Sequence, residues 1–162
     1  MKKTIYLDMD GVLANFDKKV KEFKHLDEQP WLAIPHFFKD LEVIGNPNET
    51  IRKLQKLGHS VKILSKVETR DTLDRVTDKI VWVQKNIPTV GLEDIIIVPY
   101  HLRKIDFVET NMSQSILVDD YSENTKEWAS YGGTAVKFRQ TKIKADYGFI
   151  QVNKLEELLN YV

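Results

Sequence analysis

The sequence predicts an α/β fold: a Rossmann-like parallel sheet of about five strands, helices on both faces, and a small helical cap inserted after the first strand. Two observations predict it. Five short runs (4–8, 60–64, 94–98, 115–118 and 134–138) are apolar and rich in β-branched residues, the composition of strands buried on both faces. Helical patterns intervene, and that alternation builds parallel sheets from crossover units.

The first run, Thr4-Ile5-Tyr6-Leu7, leads into Asp8-Met9-Asp10-Gly11-Val12-Leu13. No parallel strand is visible in the segment 15–45. It begins with a helical stripe, Phe16, Val20 and Phe23, then turns through Pro30-Trp31-Leu32-Ala33-Ile34-Pro35-His36-Phe37-Phe38. Inserted directly after the first strand, it would overhang that strand's acidic end. The chain therefore divides into a core of 1–14 and 46–162 and a cap of 15–45. Asn46 as N-cap, Pro47 at the first position and Glu49 at the third start a helix that ends at Gly58, with Ile51, Leu54 and Leu57 inward. A longer helix over 69–86 places Leu73, Val76, Ile80 and Val83 on one stripe, with Pro88 just beyond. A shorter helix around Ser122–Ser130 precedes Gly132-Gly133 and the fifth strand. Asn153 with Glu156 reads as a capping box leading into Leu155, Leu158, Leu159 and Val162.

At 162 residues the chain fits one core plus a small insert. Lysine and arginine number 24 and balance 24 acids, so no global basic field draws the protein to nucleic acid or an anionic membrane. There is no cysteine, which removes disulfides, thiol catalysis and cysteine-based zinc sites together. The four histidines, His25, His36, His59 and His101, lack metal-binding spacing. No long apolar segment or signal-like stretch is present, and a cytoplasmic location is expected.

Asp8 and Asp10 leave the end of a buried strand on the same side, because alternate residues of an extended segment point the same way. Two carboxylates that close repel unless a cation or a shared proton compensates, and oxygen-only ligation suits Mg²⁺. A hairpin turn would explain Asp10-Gly11 but leave Asp8 unused. A calcium loop needs glycine sixth and an oxygen ligand fifth, whereas here Gly11 falls fourth and Val12 fifth. A second acidic pair, Asp119-Asp120, follows another strand-like run, Ile116-Leu117-Val118. Between the pairs, Val61-Lys62-Ile63-Leu64 ends at Ser65, and Lys104 lies downstream of Ile95-Ile96-Ile97-Val98.

This order (strand and Asp-x-Asp, strand and Ser, Lys, strand and Asp-Asp) resembles the four motifs of the haloacid dehalogenase-like phosphohydrolase superfamily. The opening Asp8-Met9-Asp10-Gly11-Val12-Leu13-Ala14-Asn15-Phe16 is similar to the start of the 5′(3′)-deoxyribonucleotidases, which commonly carry Asp at the position of Asn15. Phe37-Phe38-Lys39-Asp40-Leu41-Glu42 resembles that family's cap segment, and Trp82-Val83 falls in its order. Ser65-Lys66 stands where the family usually has Thr-Ser-Pro, and the segment from Val98 to Lys104 also runs differently.

The resemblance implies a phosphohydrolase acting through an aspartyl-phosphate, with Asp8 as nucleophile and Asp10 as general acid and base. It implies Mg²⁺ on the Asp8 carboxylate, the Asp10 carbonyl and Asp119, with Asp120 a ligand through water or an orienting group. Ser65 would donate to the phosphate, Lys104 would pair with phosphate and Asp8, and Gly11 and Val12 would offer backbone N–H groups. Phe16, Trp31, Phe37 and Phe38 are candidates to meet the substrate's base, with Lys66 beside Ser65. Large rings in a thirty-residue cap can equally form that cap's own core. The expected partner is a small phosphorylated substrate, a nucleoside monophosphate. Another small phosphate monoester, a polynucleotide 3′-phosphate, or a non-catalytic Mg²⁺- or phosphate-binding role are the alternatives. A polynucleotide would need a basic stripe at which only Lys18-Lys19 and Lys21 hint.

Overall fold

A computed structural model describes residues 1–26, 29–68, 74–141 and 148–162. Six strands form one all-parallel sheet: β1 (Thr4–Leu7), β2 (Ser60–Val67), β3 (Ile95–Pro99), β4 (Ser115–Asp119), β5 (Thr134–Phe138) and β6 (Ile150–Val152), in the order β3-β2-β1-β4-β5-β6. The helices are α1 (Phe16–Glu22), α2 (Pro30–Ala33), α3 (Pro47–Lys56), α4 (Asp74–Asn86) and α5 (Ser122–Ser130).

The sheet is one strand larger than the sequence suggests. β6 is a three-residue edge strand, with Val136 opposite Ile150 in the register, too short and half-buried to show as an apolar run. β2 runs three residues past Leu64, so Ser65 lies inside the strand opposite Ile97 instead of at its end.

Strand alternation divides the core. Ile5, Leu7, Ile63 and Val118 pack on one face with Ile51 and Leu54 of α3 and Trp82 and Val83 of α4. Tyr6, Leu64, Leu117 and Trp128 of α5 pack on the other. Such two-faced burial is why the strands read as continuous apolar runs.

Helix ends follow local chemistry. The Asn15 side chain caps α1, accepting from Lys18 N at 3.2 Å. α3 ends in a Schellman turn: Gly58 N donates to Gln55 O at 2.9 Å and His59 N to Leu54 O at 3.1 Å, with Gly58 at φ +88°. Asn46 holds the N-cap position, but its side-chain amide donates to Glu49 instead of capping the backbone. The C-terminal Leu155–Asn160 is a 3₁₀ helix, and Glu157 rather than Glu156 reaches back to Asn153 N, at 3.4 Å.

α4 departs most from expectation. Its expected start and Leu73 lie outside the described residues, while Val76 and Ile80 are only half-buried. The buried residues are Asp78, Lys79, Trp82 and Val83. Two polar side chains sit inside because distant groups meet them: His36 Nδ1 lies 3.0 Å from Asp78 Oδ1, and Lys79 pairs with Asp10.

The segment 15–45 leaves and rejoins the sheet at one point. Asn15 N donates to Glu42 O and Ile44 N to Leu13 O, both at 2.8 Å. Ala14 and Val43 form an antiparallel bridge there.

Candidate active site

β1 lies between β2 and β4, where the strand order reverses, the usual place for ligands in open α/β sheets. Asp8 follows β1 and its N–H donates to Val118 O at 2.9 Å, which sets it beside the end of β4, where Asp119 stands. Carboxylate oxygens of Asp8, Asp119 and Asp120 lie within 4.8 Å of one another. A cavity of about 520 Å³ opens here, a size suited to a small organic ligand. Asp8, Asp10, Asp120, Lys66 and Lys104 line it. Phe16, Trp31 and Phe38 line the side built by segment 15–45, while Tyr100 and Tyr121 come from the loops beyond β3 and β4 and Asn124 from the first turn of α5.

Lys104 is buried and bridges two acids, with Nζ 2.9 Å from Asp8 Oδ1 and 2.6 Å from Asp119 Oδ2. Burial alone would lower its pKa, but Asp119 and Asp8 outweigh that and hold the ammonium above its ordinary range. Arg103 points elsewhere, to Asp106 and Tyr131. Lys66, on the cavity wall, is shifted down by burial and by the neighbouring Lys104 charge.

The two acids of the second pair differ. Asp119 is fully buried and both its oxygens are engaged. Oδ1 accepts from Tyr121 N at 2.7 Å, while Oδ2 accepts from Lys104 Nζ and from Asn124 Nδ2 at 2.9 Å. The residue Asp120 is exposed at the mouth, yet its carboxyl is crowded. Burial among protein atoms, then Asp8 and Asp119, push it up to about 8. Gly11 lets it approach: at φ +76°, a Cβ there would lie 2.0 Å from Asp120 Oδ2. Asp10 is shifted up as well, first by burial, against the attraction of Lys79.

Several expected positions sit elsewhere. The Gly11 and Val12 N–H groups, expected to face phosphate, close the local turn instead, onto Ala14 O at 2.8 Å and Met9 O at 3.4 Å. Phe37 is buried outside the cavity lining, its ring 5.7 Å from Phe16 and 5.4 Å from Phe38. Ser65 is fully buried, and its Oγ accepts from Lys79 Nζ at 3.1 Å. Sequence reasoning missed Asn124, Tyr100, Tyr121 and Lys79. Of these only Lys79 left a signal, a lysine between Val76 and Val83 on an otherwise apolar helix stripe.

The family described as "5' nucleotidase, deoxy (Pyrimidine), cytosolic type C protein" matches residues 28–157, most of the chain. The chain belongs to this family. It is a phosphatase of the haloacid dehalogenase-like kind. The match starts beyond Asp8 and Asp10, so those two rest on their geometry. A comparison with curated proteins gave no match. Among solved structures, the D,D-heptose 1,7-bisphosphate phosphatase of Burkholderia thailandensis is similar at 16% identity and TM-score 0.66, covering 99% of this chain and 98% of the other. A haloacid dehalogenase-like family hydrolase of Xanthomonas campestris shows 11% identity and TM-score 0.69, covering 99% and 90%. Such likeness supports the fold. No helix among the described residues is long and apolar enough to cross a membrane.

Proposed function

We propose that the protein is a Mg²⁺-dependent nucleoside monophosphatase working through an aspartyl-phosphate, with segment 15–45 as a cap over the site. The observation that carries this reading is the meeting of Asp8, Asp10, Lys104 and Asp120 in a cavity with aromatic walls. The phrase "cytosolic type" in the family description fits a cytoplasmic location.

The residues fit a hard dication. Three carboxylates converge, and Asp8 Oδ1 is buried without a hydrogen bond, its nearest charge being Lys104. Asp8, the Asp10 carbonyl and Asp120 would hold Mg²⁺. Asp119, already engaged by three donors, would instead anchor Lys104. The ion would supply charge neutralisation for the phosphate oxygens.

An Asp8 carboxylate oxygen attacks phosphorus in line, and the ester P–O bond breaks as Asp10 gives its proton to the leaving oxygen. Asp10, now a base, takes a proton from water. That water attacks the same phosphorus, releasing inorganic phosphate and restoring Asp8. Lys104 donates to Asp119 and pairs by charge with Asp8, and its three N–H groups leave a donor for a phosphate oxygen.

The raised Asp120 pKa gives a pH signature. A carboxyl whose folded pKa lies above its unfolded value binds more protons when folded. Metal-free protein is therefore expected to lose stability as pH rises from about 4 to about 8. Added Mg²⁺ should offset this loss at the alkaline end, releasing a proton as it binds. Unfolding midpoints at pH 5 and 8, in chelator and in Mg²⁺, check both statements.

The substrate assignment is tested by phosphate release from nucleoside monophosphates, sugar phosphates and a 3′-phosphorylated oligonucleotide. Base stacking is worth roughly 1–3 kcal/mol. Trp31→Ala is therefore expected to raise KM for the best nucleotide about 5- to 100-fold, with a much smaller change for an aryl phosphate. Preference for a sugar phosphate over every nucleotide would overturn the nucleotide assignment.

A further inference from the structure

We propose that Lys79 is a positioning residue that fixes the Asp10 carboxylate beside the phosphate, with the buried Ser65 hydroxyl as a second anchor for its ammonium; this rests on the reaction assigned above. Its ammonium is fully buried and sits behind the site, with no place in the cavity lining. It donates to Asp10 Oδ2, to Ser65 Oγ at 3.1 Å and to Lys66 O at 2.7 Å. An ammonium has three N–H groups, and these three acceptors account for them. The Phe38 ring covers its remaining side, with Nζ 4.5 Å from the centroid. Lys79 therefore has no donor left for a substrate, unlike Lys104, which keeps one and lines the cavity.

Its partners are left set for chemistry. Lys79 holds one Asp10 oxygen, while Oδ1 is buried without a partner and remains for proton transfer. Filling a lone pair of Ser65 Oγ turns that hydroxyl's hydrogen away from Lys79. Phe38 carries Lys79 on one side and lines the cavity, so the wall of segment 15–45 and the acid–base group share one support.

The test is the dependence of kcat/KM on the leaving group, because this ratio covers the steps through leaving-group departure. An alkyl phosphate needs the Asp10 proton, whereas p-nitrophenyl phosphate leaves with little help. A misplacement of about 1 Å can cost about 10²-fold. Lys79→Met is expected to lose about that much on glycerol phosphate and about tenfold less on p-nitrophenyl phosphate. A cooperative unfolding transition establishes that the variant folds. If it does not, Lys79→Gln, which keeps a donor for Lys66 O, is measured in its place with the same expected split. Parallel losses on both substrates, or no loss on either, would overturn the role of Lys79 alone. A wild type that releases phosphate from no monoester would overturn the reaction itself.

Discussion

Asp8→Asn is expected to abolish phosphate release while leaving the protein folded. Asparagine fills the same volume but cannot attack phosphorus, and losing a covalent nucleophile can cost about 10⁴- to 10⁶-fold in kcat. The fold should tolerate the change: Asp119 still neutralises Lys104, and the Asp8 main-chain bond to Val118 O needs no side chain. Mg²⁺ affinity should weaken as one carboxylate of the converging set becomes an amide. Kinetics on the preferred monoester, an unfolding midpoint and a Mg²⁺ titration check the three statements. Near-normal turnover by the purified variant would sink the covalent mechanism.

The second large effect concerns Lys104, where function and stability fall together. Lys104→Met removes one preorganised positive charge from the phosphate, a loss typically worth about 10²- to 10³-fold in rate. It also strands Asp8 and Asp119, both buried, and breaking a buried pair commonly costs about 3–5 kcal/mol. Asp119 is already shifted up by burial, with Lys104 as the main opposing influence, so its removal drives that pKa higher. The folded variant then holds protons that the unfolded chain releases, and its stability falls as pH rises. The deficit against wild type should be larger at pH 8 than at pH 5, as paired unfolding curves would show. Arg103→Ala, whose partners are Asp106 and Tyr131, should cost far less activity.

What the sequence disclosed depended on how local each cause was. Five strands were legible because burial on both faces makes each apolar throughout, whereas β6 has only three residues at an edge. The ends of α3 and the C-terminal end of α5 were legible because Pro47, Gly58 and Gly132 act within a few residues of themselves. The buried face of α4 was not. Asp78 and Lys79 are drawn inside by His36 and Asp10, 42 and 69 residues away in the chain, and no periodicity records such partners. The clustering of the acidic pairs was legible, but the different surroundings of Asp119 and Asp120 were not. That difference depends on Tyr121 N, Asn124 and Lys104 all reaching Asp119, and on Gly11 admitting Asp120. Phe37 and Phe38 are neighbours in sequence, and packing separates them: Phe37 lies against Phe16 and Phe23, whereas Phe38 stacks on Phe16 over Lys79 and meets the cavity.

The central place of β1 bears on how the protein is made. Each edge of β1 pairs with a strand far along the chain, Thr4 opposite Ser60 on one side and opposite Ser115 on the other. Long-range parallel pairing is slow, since loops must close before contacts repay them. On the ribosome, the first strand has no second neighbour until β4 has emerged. Asp8 is made before both strands that flank it, so a nascent chain should carry the acidic segment well before its surroundings are assembled. Premature termination ahead of residue 115 would leave one edge of β1 open, an invitation to pair with another chain.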